Sequence, residues 1–431
     1  MQLKSLLISL AVAKLTLADI TASNYYQSFT SLTDPHNVTV PSIVQTESID
    51  PTQECTYYNP DTSLININSS EFPSIWEVAT TNGMNTSAEF TNLYNSINWS
   101  NAPNIPVRTL GADGSLDMSN YSSTEDPDCW WSASTCTSPK LKNVNADIYQ
   151  CNEPETWGLT YDDGPNCSHN AFYDYLQEKE LKATMFYIGS NVLDWPYGAM
   201  RGVKDGHHIG CHTWSHPQMT TLTDQEVLAE LYYSLKAIKL ATGLTPRYWR
   251  PPYGDIDDRV RWIATQLGLT AVVWNLDTDD WAAGLTTTVE AVSQTYQDYV
   301  EMGTNGTFAD TGNIVLTHEI NNNTMSLALE FLPKITAAYK QVIDVATCAN
   351  ISYPYFEGFE WTNVLNGTAN SSSPSSPSSS PSSSSSSSSS SGVATASAQI
   401  KAATNDVGSL IPSFYMTTFI GFMAFFFFFL E

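Results

Sequence analysis

Trp157-Gly158-Leu159-Thr160-Tyr161-Asp162-Asp163-Gly164-Pro165 is the stretch on which the fold turns. Its first half is a short apolar run, and its second half is acidic and ends in Gly-Pro. Such a run reads as a buried strand, which Asp, Gly and Pro then close. The same unit recurs further along the chain. Apolar runs lie at 183–188, 207–211, 247–249, 271–276 and 314–317, with Val342-Ile343 a weaker seventh. Stretches of helical character separate them. In Thr223–Thr242, Thr223 and Glu226 form a capping box, Val227, Leu228, Leu231, Leu235 and Ile238 share one face, and Gly243 supplies the stop. A second helix is expected over Asp257–Leu267, closed by Gly268. Strands alternating with helices imply a parallel sheet with right-handed crossovers. About seven such strands are too many for a small open sheet, so the expected fold class is α/β, a (β/α) barrel.

In a parallel barrel the chemistry collects at the C-terminal ends of the strands. Five motifs fall there: Thr160–Pro165, His212-Thr213-Trp214-Ser215-His216, Arg250-Pro251-Pro252-Tyr253, Asp277-Thr278-Asp279-Asp280-Trp281 and Leu316-Thr317-His318. Singly, each has an ordinary explanation. Asp-Asp-Gly-Pro is a common turn, two histidines four apart arise by chance, and a histidine after an apolar strand is often a core residue. Their order, each at an expected strand end, points instead to one site.

Asp163, His212 and His216 offer one oxygen and two nitrogens to a divalent metal and leave positions open for water and substrate. Neighbouring side chains on an extended segment diverge, which frees Asp162 to act as general base on the attacking water. Arg250 is placed to hold Asp162 ionised. His318 is placed to protonate a leaving group, with Asp280 keeping it charged. A base, a Lewis acid and a separate proton donor describe hydrolysis of an amide or ester.

With these motifs in place, the segment from about Cys151 to Cys348 resembles the polysaccharide deacetylase domain shared with nodulation deacetylases (carbohydrate esterase family 4), and most of all its fungal chitin-deacetylase branch. The resemblance implies a distorted barrel and removal of acetyl groups from chitin, peptidoglycan or xylan. It makes Asp162 the base, Asp163, His212 and His216 the ligands of one divalent ion (zinc or cobalt), and Tyr253 the donor of a backbone N–H to the oxyanion. Trp281 and Leu316 are then expected to line the pocket for the acetyl methyl. It also implies the disulfides Cys151–Cys348, across the ends of the domain, and Cys129–Cys136, around a Trp-rich segment. The pairing of Cys55, Cys167 and Cys211 stays open.

The two ends of the chain suggest where it works. Residues 1–18 carry Lys4, an apolar stretch and a small-residue end, the layout of a cleaved secretory signal. Ser371–Ser391 is almost pure serine and cannot bury apolar surface, so a disordered stalk is expected. The apolar run Leu410–Leu430 has no basic residue after it, and small residues with a polar spacer precede it. That matches a GPI-attachment signal better than a retained helix. The expected organisation is therefore signal 1–18, an Asn/Ser/Thr-rich extension 19–142, the deacetylase domain 143–357, a glycosylated stalk 358–400 and a removed tail 401–431.

Asn37, Asn68, Asn85, Asn98, Asn120, Asn166, Asn305, Asn322, Asn350, Asn366 and Asn370 begin glycosylation sequons, in keeping with a secreted ectodomain. Seven cysteines in that compartment suggest disulfides, with at least one left over. A formal net charge of −26 without a basic cluster opposes nucleic-acid binding. No obligate protein partner is indicated.

Chitin is the expected partner, because an anchored, glycosylated enzyme belongs on a eukaryotic plasma membrane or wall, and fungal walls contain chitin. Alternatives are another acetylated polysaccharide, or a noncatalytic carbohydrate-binding or structural wall protein. The intact motif set favours an enzyme.

Overall fold

The computed structural model describes residues 69–361, apart from Ser168 and Phe359. The expected signal, the serine run and the terminal apolar tail lie outside the described residues, as do Cys55, Asn37, Asn68, Asn366 and Asn370. Among the described residues no helix is long and apolar enough to cross a membrane.

Nine short strands are found among the described residues: β1 (Thr156–Gly158), β2 (Thr160–Gly164), β3 (Thr184–Tyr187), β4 (His208–Cys211), β5 (Tyr248–Trp249), β6 (Thr270–Ala271), β7 (Leu276–Asp277), β8 (Asn313–Leu316) and β9 (Gln341–Ile343). They pair in the orders β7-β8-β1-β9 and β2-β3-β4-β5-β6, every pair parallel. The seven expected runs become nine strands because two of them break. The first breaks at Leu159, whose N–H donates to Ile343 while its carbonyl accepts from Thr184. At that residue the chain leaves β9 and takes β3 as its neighbour. The 271–276 run breaks likewise into β6 and β7.

Both breaks serve closure. Beyond Leu159, β2 stays against the β8 chain: Thr160 Oγ1 donates to Val315 O at 2.5 Å and Asp162 N to Thr317 O at 2.9 Å. At the other seam Ile148 bridges Val272, and Asn275 N reaches Ile314 O at 3.2 Å. The result is a distorted (β/α) barrel. β3 and β4 are buried along their whole length, which is why they read as continuous apolar runs rather than alternating ones.

The helix Asp224–Thr242 starts on Thr223 with the capping box formed and ends at Gly243 with φ 77°. Only glycine takes that left-handed cap without cost. The helix Asp258–Gln266 is capped by the Asp257 side chain. Residues 69–142 are not a loose appendage to this frame. Phe72 stacks on Trp214, Phe90 meets Tyr232 and Tyr233, and Glu89 pairs with Lys236. Residues 72–90 thus cover the outer face of the Asp224–Thr242 helix, which explains why residues on both of its faces are buried.

Disulfides join Cys129 to Cys136 and Cys151 to Cys348. Cys167 is also disulfide-bonded, whereas Cys211 is free and buried.

Candidate active site

The strand ends bring the motif residues to one rim. Asp162 and Asp163 end β2, His212 follows β4, Arg250 follows β5, Asp280 lies just past β7, and His318 lies just past β8. The backbone there is unusual. Asp163, Thr213, His216, Tyr253 and Asp279 all have positive φ, between 54° and 72°. Non-glycine residues in that region carry strain that the surroundings must hold, and such outliers gather at functional sites.

Asp163 Oδ1 lies 3.4 Å from His212 Nε2 and 3.2 Å from His216 Nε2. His212 Nδ1 donates to the Arg250 carbonyl at 2.8 Å, because a carbonyl only accepts; a proton therefore sits on Nδ1, and Nε2 faces Asp163. Burial pushes the His216 imidazole down to about 4 despite the nearby Asp163, so that ring is neutral near neutral pH. Burial opposes charge on Asp163, but the neighbouring histidines prevail and hold its carboxyl well below the usual range. Asp163 Oδ1 has no hydrogen-bond partner. An unpartnered carboxylate oxygen facing two imidazole nitrogens suits a cation, and the three candidate ligand atoms lie within 4.8 Å of one another. The cluster of Asp126, Cys129 and Cys136 does not compete, since its two sulfurs are bonded to each other.

Asp162 does not point away from this group, as alternation along a strand would have it. Its Oδ2 lies 3.8 Å from His212 Nε2. The register of β2 on β3 shifts between Asp162 and Gly164, and Asp163 at φ 72° turns the chain so that both carboxylates approach His212. What separates them is their partners. Asp162 Oδ1 accepts from Arg250 Nη1 at 2.7 Å, and Arg250 is itself fixed by Thr160 Oγ1 at 2.8 Å and lies 4.3 Å over the Phe186 ring.

Across the rim, Asp280 grips His318 twice, Oδ1 at 2.6 Å from Nδ1 and Oδ2 at 2.9 Å from the backbone N–H. Burial opposes the imidazolium, but the Asp280 charge and hydrogen bond prevail and raise His318 to about 9. Tyr253 is 54% exposed, with its ring 4.7 Å from that of His216. Its N–H takes no part in the turn that Gly254 and Asp255 close onto Pro251 and Pro252. Trp281 is 43% exposed beside Asp280, and Leu316 is buried.

Two buried carboxylates of this rim are not evident from the motifs. Glu319 follows His318, takes His169 Nδ1 at 3.1 Å and Tyr173 OH at 3.1 Å, and sits so close to Gly164 that a Cβ there would lie 1.5 Å from its Oε1. Glu230 accepts from Trp214 N, Ser215 N, Ser215 Oγ and Ala79 N, all within 2.9 Å. It thereby ties the His212–His216 loop to the extension. A carboxylate within the apolar stripe of Val227 and Leu231 was the signal available for it.

A parallel barrel with a carboxylate, two imidazoles and an opposed carboxylate–histidinium pair at its rim defines a metal-assisted hydrolase. The chain belongs to the polysaccharide deacetylase family, whose profile matches residues 149–272. It is 74% identical over 376 residues to the chitin deacetylase of Amylomyces rouxii, covering 86% of this chain and 89% of that one. To chitin deacetylase 2 of Cryptococcus neoformans var. grubii it is 46% identical over 336 residues, covering 76% and 72%. Among solved structures it is similar to the chitin deacetylase of Colletotrichum lindemuthianum, with a TM-score of 0.46 and 26% identity over 49% of this chain and 96% of that one.

Proposed function

We propose that the protein hydrolyses the N-acetyl groups of N-acetylglucosamine residues in chitin, giving chitosan and acetate. The observation that carries the chemistry is the partner split between the adjacent carboxylates: Asp162 is tied to Arg250, and Asp163 faces two imidazoles with an orphan oxygen. The substrate rests on the kinship with chitin deacetylases over most of the chain.

Asp163, His212 and His216 would hold one divalent ion, zinc or cobalt, which when bound polarises the acetyl carbonyl and favours ionised water. The remaining work falls to the chain. Arg250 occupies Asp162 Oδ1, so Oδ2 is the atom that takes the proton from the attacking water. The water oxygen bonds to the carbonyl carbon, and the Tyr253 N–H donates to the oxygen on which charge develops. His318, kept protonated by Asp280, gives its proton to the amine nitrogen as the C–N bond breaks. Acetate leaves and the sugar keeps a free amine. Trp281 and Leu316 flank the acetyl methyl.

In this reading the chain is divided as its composition suggests, with a secretory signal at 1–18, the extension 19–142, the catalytic domain 143–357, the stalk 358–400 and a GPI-attachment signal at 401–431. The protein then acts at the outer face of the plasma membrane or in the wall. Acetate release from chitin oligomers, acetylated xylan and peptidoglycan, by protein stripped with chelator and reloaded with zinc or cobalt, tests the proposal. Metal-dependent release from the chitin oligomers supports it; release from another polymer alone moves the substrate, and no release from metal-loaded protein removes the enzyme.

A further inference from the structure

The Cys129–Cys136 loop lies upstream of residues 149–272, where the family profile matches, yet it grips the catalytic rim. Trp131 N donates to Ile256 O and Asp258 N to Asp128 O, both at 2.9 Å, so the loop runs along the segment that follows Tyr253. Arg261 clamps both ends of the loop through the carbonyls of Cys129 and Cys136, at 2.6 and 2.8 Å. Two contacts reach the Tyr253 turn itself. The six-membered ring of Trp131 covers Gly254 so closely that a Cβ there would lie 2.3 Å from it, and Gly254 has φ 67°. Asp255, fully buried, accepts four hydrogen bonds. Trp130 Nε1 and Ser132 Oγ reach its Oδ1 at 2.8 and 2.9 Å, and Thr220 N and Oγ1 reach its Oδ2 at 2.8 and 2.7 Å.

The turn so held has two consecutive left-handed residues, Tyr253 at φ 58° and Gly254 at φ 67°. A tyrosine in that region is held by what surrounds it and not by its own preference. The turn follows on Arg250, which is itself held by Asp162 and Thr160, and is then fixed by the Trp131 face and the Asp255 carboxylate. Thr220, a few residues beyond His216, shares the same carboxylate, so the loop couples the metal-ligand segment to the oxyanion turn.

We propose that Trp131 and Asp255 are positioning residues for the deacetylation step: the Cys129–Cys136 loop sets the Tyr253 N–H against the reacting carbonyl. The proposal rests on the deacetylase reading given above. Asparagine cannot replace Asp255 without loss, because each carboxylate oxygen accepts an N–H, and the NH2 of an amide faces one of them whichever way it turns. Losing alignment of one oxyanion donor affects the transition state more than the bound substrate, so kcat falls and KM does not.

The test is steady-state acetate release from the soluble N-acetylglucosamine pentamer by the metal-loaded ectodomain, its Asp255→Asn, Trp131→Ala and Trp131→Phe variants, with kcat expressed per bound metal and melting followed in parallel. The expected result for Asp255→Asn and Trp131→Ala is a kcat lower by about 10- to 100-fold, the scale of a small misplacement at a catalytic donor, with KM and metal content unchanged. Trp131→Phe, which keeps an aromatic face over Gly254, recovers most of that loss. Variants that melt earlier but keep wild-type kcat per bound metal overturn the positioning role, as does a KM that rises while kcat holds. Should Asp255→Asn fail to fold, the Trp131→Phe and Trp131→Ala pair decides, since a purely structural aromatic leaves both at the wild-type kcat per bound metal; should Trp131→Ala fail, Asp255→Asn decides by the same readout. A wild type that binds metal but releases no acetate removes the deacetylase reading and this proposal together.

Discussion

The two histidine–carboxylate groups of the rim use the same side chains to opposite ends. At His212, His216 and Asp163 both rings present Nε2 to one carboxylate oxygen: the Arg250 carbonyl accepts from His212 Nδ1, and burial pushes His216 down to about 4. At His318 and Asp280, burial is overcome by a carboxylate that bonds both the ring and the backbone, and the imidazole is raised to about 9. What distinguishes His212 from His318 is the atom that sits at Nδ1. At His212 it is a carbonyl, which accepts from Nδ1–H while Nε2 faces Asp163; at His318 it is a carboxylate, whose charge raises the ring's pKa.

The largest effect that can break this comparison is on the cation side. His212→Ala removes a proposed ligand, and both bound metal and turnover are expected to fall to background; metal-free protein with full activity would overturn the assignment. On the proton side, His318→Gln is expected to keep the metal and lose turnover by about 10² to 10⁴, the usual range for a general acid. A smaller, sharper test is Asp280→Asn. With Asp280 present, His318 stays protonated up to about pH 9, so the alkaline limb of kcat is expected near there. Without it the limb moves down towards or below 6.5, and an unmoved limb would mean that His318 is not the acid. The same raised value stabilises the fold: the contribution is complete below about pH 6.5 and is lost as pH rises through about 9. The smallest effect expected is that of Glu230→Gln. Both Glu230 oxygens accept backbone N–H groups, so the amide leaves at least one unpaired and is expected to cost about 1–3 kcal/mol, read as a lower melting temperature with metal content retained.

Much of this rim is legible along the chain because its determinants are local. The capping box at Thr223 and Glu226, the stop at Gly243 and the run-then-turn pattern before Asp162 all depend on residues within a few positions of one another. The five motifs are readable because a parallel barrel gathers successive strand ends at one rim. The parts that were not legible depend on long-range contact. Nothing near Leu159 announces that the strand changes neighbours there, since Ile343 and Thr184 decide it. The expected divergence of Asp162 and Asp163 fails for a similar reason: the bulge against β3 turns both carboxylates towards His212. Glu319 reads as a polar residue after a motif, and only the missing Cβ of Gly164 makes room for it. Residues 69–142 look irregular in sequence because their order comes from the surface they cover, through Phe72, Glu89 and the Cys129–Cys136 loop.

The partner split between adjacent carboxylates is tested most directly by measuring bound metal and acetate release together in Asp162→Asn and Asp163→Asn. The account predicts that Asp162→Asn binds metal at wild-type stoichiometry and turns over about 10² to 10⁴ more slowly, while Asp163→Asn loses metal and activity together. Equal metal loss in both variants, or wild-type turnover in Asp162→Asn, would contradict it.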